Sequence, residues 1–167
     1  MRKIAYSVGL AALMSSAALA TTATANLGVS ASITSNCTIG TSTLAFGAYD
    51  PIAGTAVPGT GTVTVACTSD VTAPKVTLGQ GLHAGGGSTD AAPLRRLSDG
   101  AGTPHYLTYN IYLLGDHATV WDNVTGQTAH AGDGTGHALT TFGQIDINQH
   151  TAPAGSYADT VVATVTF

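Results

Sequence analysis

Histidines and aspartates are the residues of this chain best suited to chemistry, and their spacing selects no reaction. His83, His105, His117, His130, His137 and His150 are scattered, with no H-x-x-x-H or H-E-x-x-H pair to set two imidazoles on one helical face. His130 and His137 share a Gly-rich loop with Asp133, a donor set that could bind a divalent cation weakly. Solvated loop histidines are the commoner case, so the expectation is no metal and no cofactor. The run Gly132-Asp133-Gly134-Thr135-Gly136 hints at calcium but lacks the carboxylate density of an oxygen cage. No G-x-S-x-G elbow is present. All nine acidic residues are Asp, and nothing in their spacing singles out an acid–base pair. Trp121 with Tyr106, Tyr109 and Tyr112 can be read as a carbohydrate platform, but core aromatics on a central strand explain them better. The chain does not read as an enzyme.

Two cysteines, Cys37 and Cys67, complete the reactive inventory. In an oxidising compartment an isolated pair reads as one disulfide, and closing a loop of about 30 residues contributes roughly 3–4 kcal/mol in the chain-entropy model. Free buried thiols are the competing reading. A zinc site would need two further ligands.

The N-terminus sets the compartment. Arg2 and Lys3 precede an uncharged apolar run from Ile4 through Ala20, followed by the small-x-small sites Ala18-Leu19-Ala20 and Ala23-Thr24-Ala25. This is the layout of a secretory signal peptide, residues 1–25, with cleavage after Ala25 and Ala20 as the alternative site. A retained N-terminal anchor helix is the other reading. Beyond Ala25 the chain carries Lys75, Arg95 and Arg96 against nine Asp, three positive charges against nine negative, a net charge of −6. Phosphate binding needs clustered Lys and Arg, so a nucleic-acid partner is excluded. Asn123-Val124-Thr125 matches a glycosylation sequon, a three-residue match that is uninformative by itself.

The elements that must position these residues are strands. Period-two alternation runs through the chain, with abundant Gly, Thr and Val. Leu27, Val29, Ala31 and Ile33 share one side of a half-buried strand. Cys37 to Phe46 is a second extended stretch, with Ile39, Leu44 and Phe46 facing inward. Asp50-Pro51 and Val57-Pro58-Gly59 mark a loop. Thr62 to Thr68 places Val63, Val65 and Cys67 on one face, and Lys75 to Leu78 turns Val76 and Leu78 inward. A long Gly- and Ala-rich excursion, 79–104, holds at most short strands near Leu94 and Leu97. His105 to Leu114 reads as a central strand with Leu107, Tyr109, Ile111 and Leu113 on one face. Trp121 lies in a short strand-and-turn unit, Leu139 to Ile147 is another strand, and Tyr157 to Phe167 closes the chain. Seven to nine short strands in one domain predict an all-β, immunoglobulin-like sandwich.

Several of these segments, in their order, resemble the spore coat protein U domain found in subunits of archaic chaperone–usher pili. They are the alternating strand from Val29 into Cys37, Leu44-Ala45-Phe46-Gly47-Ala48-Tyr49, Val63 to Thr68, Arg96-Leu97 and Leu107 to Tyr112. Val120-Trp121, Phe142-Gly143-Gln144-Ile145 and Gly155 to Thr160 running into Phe167 complete the series.

The resemblance implies an incomplete immunoglobulin-like β-sandwich completed by donor-strand exchange. Residues 26–35 become a donor strand presenting Leu27, Val29, Ala31 and Ile33, and residues 36–167 the pilin-like body. Ile39, Phe46, Val161, Ala163, Val165 and Phe167 become the acceptor groove. The implied partners are other pilus subunits, a periplasmic chaperone and an outer-membrane usher, and the implied destination is a surface pilus supporting adhesion and biofilm. From the pattern alone, residues 26–35 read first as the opening strand of their own sandwich; the resemblance reassigns them. A tip or minor adhesin and a spore or cyst coat component are the alternative roles.

Overall fold

The computed structural model describes residues 20–167, so most of the expected signal peptide lies outside the described residues. Residues 34–167 form one unit and the stretch before them another. Among the described residues the chain forms eight strands and no helix: β1 (Cys37–Thr41), β2 (Val57–Cys67), β3 (Lys75–Leu78), β4 (Arg95–Ser98), β5 (Tyr106–Tyr112), β6 (Gln127–Thr128), β7 (His137–Ile145) and β8 (Ala163–Thr166). All pairings are antiparallel. They build a five-stranded sheet, β1-β2-β7-β5-β4, and a three-stranded sheet, β6-β3-β8.

The core sits between the sheets and is made by the alternation read from the sequence. Val63, Val65 and Cys67 of β2, Val76 and Leu78 of β3, and Leu107, Tyr109 and Ile111 of β5 are buried, while Thr64 and Thr108 between them are exposed. The disulfide joins Cys37 to Cys67, a directly paired position at one end of the β1–β2 ladder. Trp121 is fully buried and donates its indole N–H to the Val76 carbonyl at 3.0 Å.

The buried cation was not legible. Arg95, rather than its neighbour Arg96, is fully buried and ties the two sheets together. It donates to the carbonyls of Leu78, Gly79 and Trp121 and to Asn110 Oδ1, all at 2.8–2.9 Å. Burial lowers its pKa to about 10, so it stays charged at neutral pH. Arg96 lies on the Tyr106 ring, 3.9 Å from its centroid, and donates to the carbonyls of His83 and Ala84.

Four sequence expectations need correction. Val57-Pro58-Gly59, expected as a loop, opens β2 and pairs with Ile145, Gln144 and Gly143 of β7. The reason is packing: a Cβ at Gly59 would lie 2.8 Å from the Ala45 carbonyl oxygen and from the Phe46 ring, and one at Gly143 2.7 Å from Leu44. Gly59 and Gly143 are a register pair, and together they leave room for residues 44–46 to cross the sheet. Strand β7 starts at His137 and stops at Ile145, and Ile147 is 46 % exposed. The final strand is shorter than expected, because residues 158–162 cross between sheets: Ala158 bridges Ser98 of β4, and the Val162 carbonyl accepts from Gly79 N at 2.9 Å. Residues 26–36 belong to no strand, and Leu27, Val29 and Ile33 are exposed rather than half-buried, since no ladder partner is paired with them.

Candidate assembly groove

A cleft of about 370 Å³ opens into the core of the 34–167 unit. Val63, Leu78, Tyr109 and Ile111, all core residues, form its floor. One rim runs from Thr41, the last residue of β1, to Leu44, and the other is Thr160, Val161 and Ala163, the last of which opens β8. A second cleft of about 510 Å³ shares Phe46 and Leu97 with the first and continues past Tyr49, Leu107, Ile145 and Tyr157. Phe46 stands between them, edge-on to Tyr109 with ring centroids 5.7 Å apart.

Unpaired backbone edges flank this opening. Among the described residues β1 pairs only with β2, and β8 only with β3, from Lys75↔Thr166 to Leu78↔Ala163. Each is the outer strand of its sheet, and the two lie against each other. An outer strand presents N–H and C=O groups that another strand can pair with. The apolar floor and the open edges together suit an extended, alternating peptide.

Asp159 organises the β8 rim. Its carboxylate, with the side chain 1 % exposed, accepts from Tyr109 Oη at 2.8 Å, Leu82 N at 3.0 Å, His83 N at 3.3 Å and His83 Nδ1 at 3.1 Å. Burial, with the Asp159 hydrogen bond second, pushes the Tyr109 hydroxyl pKa up. Gly81, at φ +87, is needed beside it: a Cβ there would stand 2.2 Å from the carboxylate.

Of the residues expected to line a groove, Phe46, Val161 and Ala163 line this cleft. Ile39 lies outside it, 37 % exposed on β1 and paired with Val65. Val165 packs on the core opposite Val76, and Phe167 is 57 % exposed beyond β8. The cleft adds Leu44, Leu97, Tyr109 and Asp159. Leu44 and Tyr109 carried a signal as inward positions of alternating segments; Asp159 fell within the Gly155 to Thr160 segment of the resemblance but had no inward signal of its own, because its partners are 50 and 76–77 positions away.

In the preceding unit, residues 20–33 form no strand. Leu27, Val29 and Ile33 are 88, 88 and 92 % exposed, and Ala31 between them is exposed as well. Four alternating apolar side chains in water are an unsatisfied surface. From Asn36 the chain is pinned: Asn36 N donates to Thr68 Oγ1 at 3.1 Å, and Thr68 N to the Asn36 carbonyl at 2.9 Å.

The Spore Coat Protein U domain matches residues 23–164, nearly all of the described chain. The chain belongs to the Spore Coat Protein U domain family. Protein U of Myxococcus xanthus is 41 % identical over 162 residues, covering 91 % of this chain and 89 % of that protein. The Spore Coat Protein U fold seen here also resembles a chain in the crystal structure of the CsuC–CsuE chaperone–tip adhesion subunit pre-assembly complex from archaic chaperone-usher Csu pili of Acinetobacter baumannii. The TM-score is 0.54 at 23 % identity, over 81 % of this chain. The match spans 40 % of that chain's length, so the likeness is one of fold.

Proposed function

We propose that this chain is an exported structural subunit of an archaic chaperone–usher surface pilus, cut after Ala25 and polymerised by donor-strand complementation. Residues 26–35 of one copy enter the cleft of the next, running between the rim at 41–44 and the rim at 160–163. The observation that carries the reading is the coexistence of four exposed alternating apolar residues and an open cleft with an apolar floor, flanked by two unpaired strand edges. The likeness to a chain of a chaperone–subunit pre-assembly complex supports a periplasmic chaperone as the partner that covers the cleft before assembly. An outer-membrane usher would exchange that chaperone for the next arm.

Burying Leu27, Val29, Ala31 and Ile33 contributes on the order of 5–9 kcal/mol, at about 1.5–3 kcal/mol for each large side chain and less for Ala31. A main-chain ladder along the free edge of β8 adds to this. Donor and acceptor are different surfaces, so the contact is heterologous and repeats into an open filament. The role is mechanical, not catalytic.

Deleting residues 26–35 tests the reading. The expected product is a folded, chaperone-bound subunit that forms no fibres; an unfolded body would mean that the segment belongs to its own sandwich. A coat component of spores is the second reading, favoured by the Spore Coat Protein U domain itself and the 41 % identity to Protein U, and it would use the same assembly step. Labelling the subunit on cells separates extended fibres from a continuous coat.

A further inference from the structure

We infer that the loop joining β6 to β7 is a surface zinc site formed by His130, Asp133 and His137. The structure brings their donor atoms within 4.8 Å of one another, where residue spacing gave only a weak hint. Two imidazoles and one carboxylate suit a borderline divalent cation of the zinc type, and they supply too few oxygens for calcium.

The loop is built to hold this arrangement. Its backbone is fastened at three points: Ala129 N to the Pro74 carbonyl at 2.8 Å, Gly132 N to Val71 at 2.8 Å and Gly134 N to Cys67 at 2.9 Å. Gly132 tolerates no side chain, since a Cβ would stand 1.9 Å from the Thr68 carbonyl oxygen, and Gly134 has φ +80. His137 is the first residue of β7 and is held in register opposite Val65. Two ligands therefore leave one short, fastened loop and the third leaves the strand that follows it.

The hydrogen bonds around the ligands orient them as an outer shell does in metal sites. His130 Nδ1 donates to the Ala131 carbonyl at 2.6 Å, which leaves the Nε2 lone pair free for a metal. Thr135 holds Asp133 Oδ1 through its amide at 2.8 Å and its hydroxyl at 2.7 Å. The other oxygen, Oδ2, faces His137 Nε2 at 2.9 Å, a position where a cation can replace the shared proton. The two imidazoles lie nearly parallel with centroids 3.8 Å apart. In-plane nitrogen lone pairs on parallel rings do not converge, so the exposed His130 ring must rotate out of the stack for its Nε2 to reach the same ion. Three protein ligands leave the fourth position to water.

The test uses the assembled, disulfide-bonded chain, stripped with chelator and titrated with zinc chloride, with cobalt(II) absorption as a second readout. One equivalent is expected to bind saturably, and His130→Gln, Asp133→Asn and His137→Gln each to weaken binding at least tenfold. His105→Gln, paired with Asp99 elsewhere, is expected to leave it unchanged. His137 lies in a strand, so a His137 variant that fails to assemble is set aside and His130→Gln, on the exposed loop, decides. Absence of a saturable equivalent, or affinity unchanged in His130→Gln, overturns the assignment.

Discussion

The Tyr109 hydroxyl donates a 2.8 Å hydrogen bond to Asp159 Oδ2, tying the middle of β5, on the cleft floor, to the segment that forms the opposite rim. The same carboxylate also holds Leu82 and His83 at the start of the long excursion between β3 and β4. One buried acid thus fixes the floor, the rim and a loop at once.

Asp159→Ala leaves the Tyr109 hydroxyl and the His83 amide without their acceptor, while Leu82 N keeps the Thr160 carbonyl at 3.1 Å, and is expected to cost about 2–4 kcal/mol. Tyr109→Phe removes one donor and leaves the carboxylate its other partners, so about 0.5–1.5 kcal/mol is expected. Urea unfolding reads the difference in a variant with residues 26–35 moved beyond Phe167 through a short Gly-Asn turn. Equal costs for the two substitutions would contradict the ranking.

In the proposed assembly, Val29→Asp with Ile33→Asp places two charges against the apolar floor of the next subunit's cleft, where an unpaired carboxylate costs several kcal/mol or must take up a proton. Fibres should vanish while the chaperone-bound subunit persists, because both residues are exposed in the free chain. Normal fibres on electron micrographs would refute the donor role.

Gly143→Ala drives a methyl to 2.7–2.8 Å from Leu44 and the Phe46 ring. A loss of about 1–3 kcal/mol is expected, together with weakened assembly, since Leu44 and Phe46 line the cleft. Gly86, with nothing within 4 Å of its added Cβ, supplies the control, and Gly86→Ala should be nearly neutral in the same urea assay.

How much was legible follows from where the determinants lie along the chain. Alternation within a strand is local, so the inward faces of β2 and β5 could be read directly, as could the disulfide across their sheet. Pro58-Gly59 misled because turn residues and close-approach glycines look alike; only the crossing of residues 44–46 over the sheet distinguishes them. Two adjacent arginines give no hint of which is buried until the Leu78, Gly79 and Trp121 carbonyls converge on Arg95. Of the cleft lining, Phe46, Val161 and Ala163 were among the groove residues that the family resemblance implied, whereas Asp159 depends on contacts far apart in sequence.

Cys37→Ser with Cys67→Ser removes the link that fastens β1 to β2 at their paired end. A loss of about 3–4 kcal/mol is expected from a closed loop of this size. The arm leaves the body just before Cys37, so the double variant should also release chaperone-bound subunits as degraded material, scored by the yield of the complex after export. An unchanged yield and unfolding midpoint would contradict that account.

The most direct measurement places a photo-reactive residue at Val29 in fibres grown from equal amounts of isotopically light and heavy subunits. Cross-linked peptides are then mapped by mass spectrometry. Mixed light–heavy pairs joining residue 29 to segments 41–46 or 160–163 are the predicted result. Cross-links confined to single copies, or landing away from those rims, would contradict the proposal that each subunit is completed by the next.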